Sequence, residues 1–350
     1  MVLSPGFPAN DADTTCLPSQ QLFIKSLNKI FPQLNIIVLS FQYPHLKSEY
    51  KWNNNKVIAF NGQSKAKLYR LFLWFRVWNK LKQLKYENNI IGLFSFWSGE
   101  CALVGKWFGG KNNLKHYCWI SGQDAKKGNK YVKWMRPAPD ELIAMSDFLA
   151  DEFYRNHSIR PTHIIPNGIA PEIFSDYNEQ RNIDVLGVGS LIPLKQFDVF
   201  SEVIKKLTHE MPSIKAIICG KGPEENHLKL LIKHHHLENN ISVIGEIEHA
   251  QVLGLMQKTR VFLHTSSYEG FPAVCIEALG AGTHVISFCR PMKAYINHWH
   301  VVNNEEEMRE KAIEILQNPQ TDYKPSIPYL MADAAKKVMA LFQYEGDIIP

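Results

Sequence analysis

The sequence predicts an α/β protein of two doubly wound domains, each a parallel sheet with helices on both faces. Three observations carry that expectation. Short β-branched runs alternate with helix-period stripes, the pattern that builds parallel sheets. The chain has 350 residues, room for two domains of ordinary size. Near 160–168 the stretch "SIRPTHIIPNGI" interrupts the alternation with two prolines and a glycine.

In chain order, "VLSP" reads as the end of a first strand, and apolar runs follow at 35–39, 56–60, 90–95, 116–121 and 142–145. Beyond the break come 183–189 ("IDVLGVG"), 214–219, 241–245, 260–264 and 284–288. Between the first two of these, Phe197, Phe200, Val203, Ile204 and Leu207 recur at spacings of three and four, which marks a helix. A last helix carries Met331, Ala334, Ala335, Val338 and Phe342 on one stripe and is expected to cross back to the first domain. The expected division is 1–164, 165–325 and a returning helix in 326–350, with the two domains facing a cleft. Ligands of such sheets bind outside the carboxyl ends of the strands.

Bulk composition narrows the class. A hydrophobic fraction of 45% and a charged fraction of 21% are those of a globular chain. A net charge of +5 suits an anionic substrate or membrane surface and is too weak to argue for nucleic acid. The six cysteines form no C-x-x-C pair and several sit in apolar runs, as expected of reduced thiols. With no apolar run of membrane-spanning length and no signal-peptide pattern at the start, the expected location is cytoplasmic.

The most informative stretch is "YEGFPAVCIEALGAGTHVIS", 268–287. Gly270, Phe271 and Pro272 break the chain just before a helix, and Pro272 suits a first helical position. Glu269 then lies in a loop and Glu277 about a turn and a half into the helix. Between them lie free backbone N–H groups of a helix start, a seat for phosphate. Hydroxyl-binding carboxylates on either side of a phosphate seat fit a nucleotide sugar. An isolated pair of solvated glutamates is the plainer alternative, and the surrounding motifs decide between them.

Those motifs are "HIIPNGIAPEIF" (163–174), "GVGSLIPLKQFD" (187–198), "ICGKGPE" (218–224), "VIGEI" (243–247) and "TSSYEGFPAVCIEALGAGTHVI" (265–286). In this order and spacing they resemble the nucleotide-binding half of retaining glycosyltransferases of family 4, of GT-B fold; the first half resembles them only loosely. The resemblance implies that Glu277 binds ribose hydroxyls, that Glu269 holds hydroxyls of the donor sugar, and that Gly270, Phe271 and Pro272 approach the diphosphate. It implies that Lys195 neutralises the phosphates, that Gly189 brings backbone close to them, and that the base lies near Ile247. It also implies catalysis by Glu269 and Lys195 without a metal or other cofactor.

Three departures stand out. Ser190 occupies a place where the family usually has an arginine, so that a phosphate contact is missing or comes from Arg290 or Lys221. In "CWISGQDAKKGNKY" (118–131), Ser121 stands where many members have a histidine beside the donor sugar; Gln123 and Asp124 remain as site candidates, Asp124 as a catalytic one. The usual glycine pair of the first loop is absent, leaving Asp11, Asp13 and Thr14 to line that edge. The histidine runs at 233–240 and 298–300 lack metal-site spacing, and no P-loop, G-x-S-x-G or dinucleotide fingerprint appears.

The stretch 65–85 holds seven lysines and arginines, no acid and several large aromatics. Leu68, Leu71, Phe72, Phe75 and Trp78 make a stripe expected to pack on the sheet, while Leu73, Trp74 and Val77 fall among the charges. Such a helix suits an anionic membrane surface; a helix buried on two sides is the alternative. The combined reading is a retaining glycosyltransferase using a nucleoside diphosphate sugar and a glycan or lipid-linked acceptor, peripheral at the inner membrane face. A retaining glycosidase using the two glutamates, a sugar-nucleotide epimerase and a non-catalytic relative are the rivals.

Overall fold

The computed structural model describes residues 1–63, 67–174 and 180–344. They form two compact units, Met1–Gly168 with Met331–Pro350, and Ile169–Leu330.

The first unit begins β1 (Val2–Gly6), α1 (Pro18–Ile30), β2 (Ile37–Tyr43), β3 (Ser48–Trp52), β4 (Asn55–Ala59) and α2 (Lys67–Glu87). It continues with β5 (Leu93–Phe96), α3 (Glu100–Asn112), β6 (His116–Ile120), α4 (Lys130–Met135), β7 (Leu142–Ala144), α5 (Asp147–His157) and β8 (His163–Ile164). The sheet runs β3-β4-β2-β1-β5-β6-β7-β8, and only β3 is antiparallel to its neighbour. Each apolar run expected in this half forms a strand. The unexpected β3 is charged and alternating, and it pairs with β4 through Asn53 and Asn54, both at positive φ. Asparagine tolerates that geometry, so these two residues were the hairpin signal.

The second unit contains β9 (Ile183–Val188), α6 (Phe197–Thr208), β10 (Ala216–Cys219), α7 (Glu225–His234), β11 (Ile241–Gly245) and α8 (His249–Gln257). It ends with β12 (Thr259–His264), α9 (Ala273–Gly280), β13 (His284–Ser287), β14 (Trp299–Val301) and α10 (Glu305–Gln317). All its strands are parallel, in the order β11-β10-β9-β12-β13-β14. The stripe Phe197, Phe200, Val203, Ile204 and Leu207 is buried in its core. The final helix, α11 (Met331–Leu341), belongs to the first unit and packs on α1. Its expected stripe is buried, and Tyr117 donates a 2.9 Å hydrogen bond to the Leu341 carbonyl.

Helix α2 reverses the expected orientation. Leu73, Val77, Leu81 and Leu84 enter the core with Leu39, Phe41 and Ile58, whereas Leu71, Phe72 and Phe75 are 57%, 55% and 61% exposed. Trp78 is half-buried with its ring edge-on to Phe108, and Trp74 donates to Glu100 at 2.9 Å. The buried stripe, at spacings of four, four and three, is wholly Leu and Val and packs as one aliphatic edge against the strands. Residues 65 and 66 and the Leu68 side chain lie outside the described residues. Among the described residues no helix is long and apolar enough to cross a membrane. All six cysteines are free, and four of them are buried.

Candidate functional site

In the second sheet the chain runs outward from β9 to β10 and β11, then returns to place β12 on the other side of β9. The loops after β9 and β12 therefore diverge, which opens a crevice at their carboxyl ends. Lys195 comes from the first of these loops and Glu269 from the second, and the two form an ion pair. The loops are laced together: the Thr265 hydroxyl donates to the Lys195 carbonyl at 2.8 Å, and the Ser267 N–H to the Leu194 carbonyl at 3.0 Å. Both charged side chains are about four-fifths buried, at 20% and 19% exposure, so their attraction is little screened.

Beneath them lies His264 at the end of β12, 3% exposed, with Nε2 3.8 Å from Glu269 Oε1 and 3.2 Å from the Ser266 hydroxyl. Burial works against ionisation of Glu269, but His264 and the Lys195 ammonium outweigh it and bring the carboxyl down to about 2. Burial also lowers the pKa of His264. Glu269 is thus a carboxylate at neutral pH, an acceptor for hydroxyls.

After Gly270, Phe271 and Pro272, all buried, α9 begins at Ala273; Pro272 is its N-cap rather than its first residue. Pro272, as the N-cap, makes no side-chain hydrogen bond to the first N–H groups of α9. Phe271 packs edge-on against Tyr329, so only its backbone is available to a ligand. Glu277 lies on α9, where Oε1 meets Nε2 of His249 at 2.9 Å. That contact, ahead of the opposing effect of burial, raises the pKa of His249. His249 and His264 were not found from the sequence. Neither has a local signature, since each meets its glutamate through packing of a separate element or loop.

Gly189 and Gly220 end adjacent strands, and a Cβ on Gly220 would lie 1.8 Å from the Gly189 carbonyl oxygen. Ser190 is exposed, and the Leu191 N–H beside it donates to the Lys221 carbonyl at 3.0 Å. Lys221 thus follows a strand next to the Ser190 loop, whereas Arg290 follows β13, two strands from β9. Ile247 is half-buried just beyond β11.

The first-domain candidates belong to the other unit and are described there. Gln123 is exposed after β6. Asp124 accepts from the N–H of Ser98 at 2.7 Å, of Gly122 at 2.7 Å and of Ser121 at 3.1 Å, tying the loop after β5 to that after β6. Burial pushes its carboxyl above the usual range, against the pull of these amides. Asp13 is likewise engaged, by the Ala9 and Cys16 N–H groups of its own loop and by the Tyr43 hydroxyl at the end of β2.

Residues 170–326 match the family of glycosyl transferases group 1. The chain is 25% identical over 203 residues to the phosphatidylinositol N-acetylglucosaminyltransferase gpi3 subunit of Schizosaccharomyces pombe, a match covering 56% of this chain and 44% of that relative. In structure it resembles HepE of Anabaena, solved with UDP and glucose, at TM-score 0.65 and 16% identity over 98% of this chain and 97% of that one. It also resembles the lipopolysaccharide outer core galactosyltransferase WaaB, at TM-score 0.68 and 13% identity over 97% and 99% of the two chains. The family match over the second unit, read with the architecture of both units, supports a glycosyltransferase of GT-B fold.

Proposed function

We propose that the chain is a retaining glycosyltransferase of family 4, moving a sugar from a nucleoside diphosphate sugar to an acceptor hydroxyl. The ion pair of Lys195 and Glu269 beside the start of α9 is the observation that carries this reading. The helix start and Lys195 receive the diphosphate and offset charge as it departs, which supplies the positive field without a metal. Gly189 and the backbone of Gly270, Phe271 and Pro272 approach the phosphates. Glu269, once Lys195 turns to phosphate, accepts from sugar hydroxyls. Glu277 has one oxygen on His249 and offers the other to the ribose, with the base near Ile247. UDP in the Anabaena neighbour supports a uridine donor.

In the transfer, the bond from the anomeric carbon to the diphosphate breaks and the acceptor oxygen bonds to that carbon on the same face. The acceptor proton passes to the departing phosphate. Asp124 holds the loop carrying Ser121 and Gln123 and acts through position, since its oxygens are taken by backbone amides. The acceptor is a lipid-linked or envelope glycan at the inner face of an anionic membrane. The lipid in the fission-yeast relative's name, the lipopolysaccharide galactosyltransferase and the exposed face of α2 support this part.

The test is a coupled assay for nucleoside diphosphate release with candidate UDP-sugars and glycolipid acceptors, with product anomers read by NMR. Release only with acceptor, and an unchanged anomeric configuration, is expected. Inverted product overturns the retaining mechanism. Interconversion of the donor without acceptor marks an epimerase, and tight donor binding with no turnover marks the non-catalytic relative that Ser190 and Ser121 would fit.

A further inference from the structure

A groove of about 430 Å³ lies between the β3–β4 hairpin and α2, at the edge of the first sheet. Lys47, Arg76 and Lys80 line it against a single carboxylate, Glu49. Glu49 is already engaged by Lys80 at 2.6 Å and by Lys56 at 3.1 Å. Arg76 meets no carboxylate among the described residues. Its guanidinium instead lies over the rings of Phe60 and Phe72, 5.6 and 5.9 Å from their centres, and its Nη2 is buried without an acceptor. Ser48 and Asn79 add neutral hydrogen-bonding groups to the walls. A guanidinium held by aromatic rings and left without a counter-charge is suited to phosphate oxygens.

The rim is apolar. Phe72, over which Arg76 lies, is exposed with Leu71 and Phe75 on the same helix, and Leu46, next to Lys47, is 69% exposed. Large apolar side chains beside a cationic groove match a molecule that joins phosphate to hydrocarbon. A soluble phosphate ester would use the groove and leave the rim in water. The geometry points to a binding site for the phosphate headgroup of an anionic membrane lipid, with Arg76 and Lys47 on the phosphate and Leu46, Leu71, Phe72 and Phe75 in the interface. This inference rests on the reading that α2 meets an anionic membrane surface.

Vesicle sedimentation of the full chain tests it, with phosphatidylcholine alone and with added phosphatidylglycerol. Arg76→Gln and Lys47→Gln are compared with Lys82→Gln, a charge-matched change at an exposed α2 position outside the groove. Loss of one lysine near an anionic surface costs about fivefold in binding. The wild type should bind only the anionic vesicles, Lys82→Gln should lose about that much, and each groove variant more than about tenfold. Lys47 is exposed in a loop, so its variant tests the site even if Arg76→Gln folds poorly. Groove variants that lose no more than Lys82→Gln overturn the headgroup site and leave the membrane reading standing. A wild type that ignores anionic vesicles overturns both. Undiminished sedimentation of Phe72→Ser with Phe75→Ser, together with tight binding of soluble glycerol phosphate, would assign the groove to a soluble ester instead.

Discussion

The two units are built on the same strand–helix alternation, yet they organise the carboxyl ends of their strands by different means. In the second unit, charged side chains from separate elements meet: Lys195 with Glu269, and His249 with Glu277. In the first, one carboxylate, Asp124, gathers backbone N–H groups from two loops, and Asp13 gathers those of Ala9 and Cys16 within its own loop. The first arrangement can exchange a protein partner for a ligand, because each charge keeps binding capacity when its neighbour moves. The second cannot, because backbone amides that lose their carboxylate are left unpaired. A comparable fold therefore carries exchangeable ion pairs in one unit and a carboxylate-tied frame in the other.

The largest effect that would separate these roles is expected from Asp124→Ala. Each buried N–H left unpaired costs about 1–3 kcal/mol. A loss of about 3 kcal/mol would lower the unfolding midpoint by about 6–12 °C. Calorimetric affinity for a nucleoside diphosphate should stay within about twofold. A clear drop in affinity at unchanged stability would place Asp124 in ligand binding and erase the contrast.

Next in size is Glu277→Ala, which should weaken nucleoside diphosphate binding about ten- to hundredfold, the value of a charge-assisted contact of about 1.5–3 kcal/mol. Stability should change little, and titration calorimetry beside a thermal scan reads both. Unaltered affinity would remove Glu277 from the ribose.

The smallest expected effect concerns pH. His284 at the start of β13, His298 just before β14 and His300 within it lie against one another, with His284 Nδ1 3.0 Å from His300 Nε2. Burial lowers all three, His300 to about 4; neighbouring imidazoles add to it at His284 and His300, with Arg181 at the former and Lys311 at the latter, while Asp322 opposes the shift at His284 and His298 and Glu314 at His300. A histidine lowered on folding contributes stability that is fully present above its unfolded value near 6.5 and is lost as pH falls toward the folded one. Acid should therefore loosen the second unit between about pH 6.5 and 4, in the range where these groups gain protons. His300→Gln should flatten that slope in thermal scans across the range. An identical slope in the variant would show that the acid sensitivity lies elsewhere.

Local chemistry along the chain sets the alternating fold and the turn that leads into α9. Both are written in the period of apolar residues, the placement of proline and glycine, and the residues that begin a helix. The sequence also singled out Glu269, Glu277 and Lys195, because their motifs are contiguous. Which stripe of α2 faces the sheet is set by packing. Two stripes have helical period, and the aliphatic one is the one that packs with Leu39, Phe41 and Ile58. Tertiary packing likewise brought His249 to Glu277 and set His264 beneath Glu269, pairings made across separate elements or loops. It turned Asp124 toward three backbone amides and left Arg76 between two rings without a counter-charge. Such contacts form between groups that lie apart along the chain or depend on local burial, so no sequence period records them.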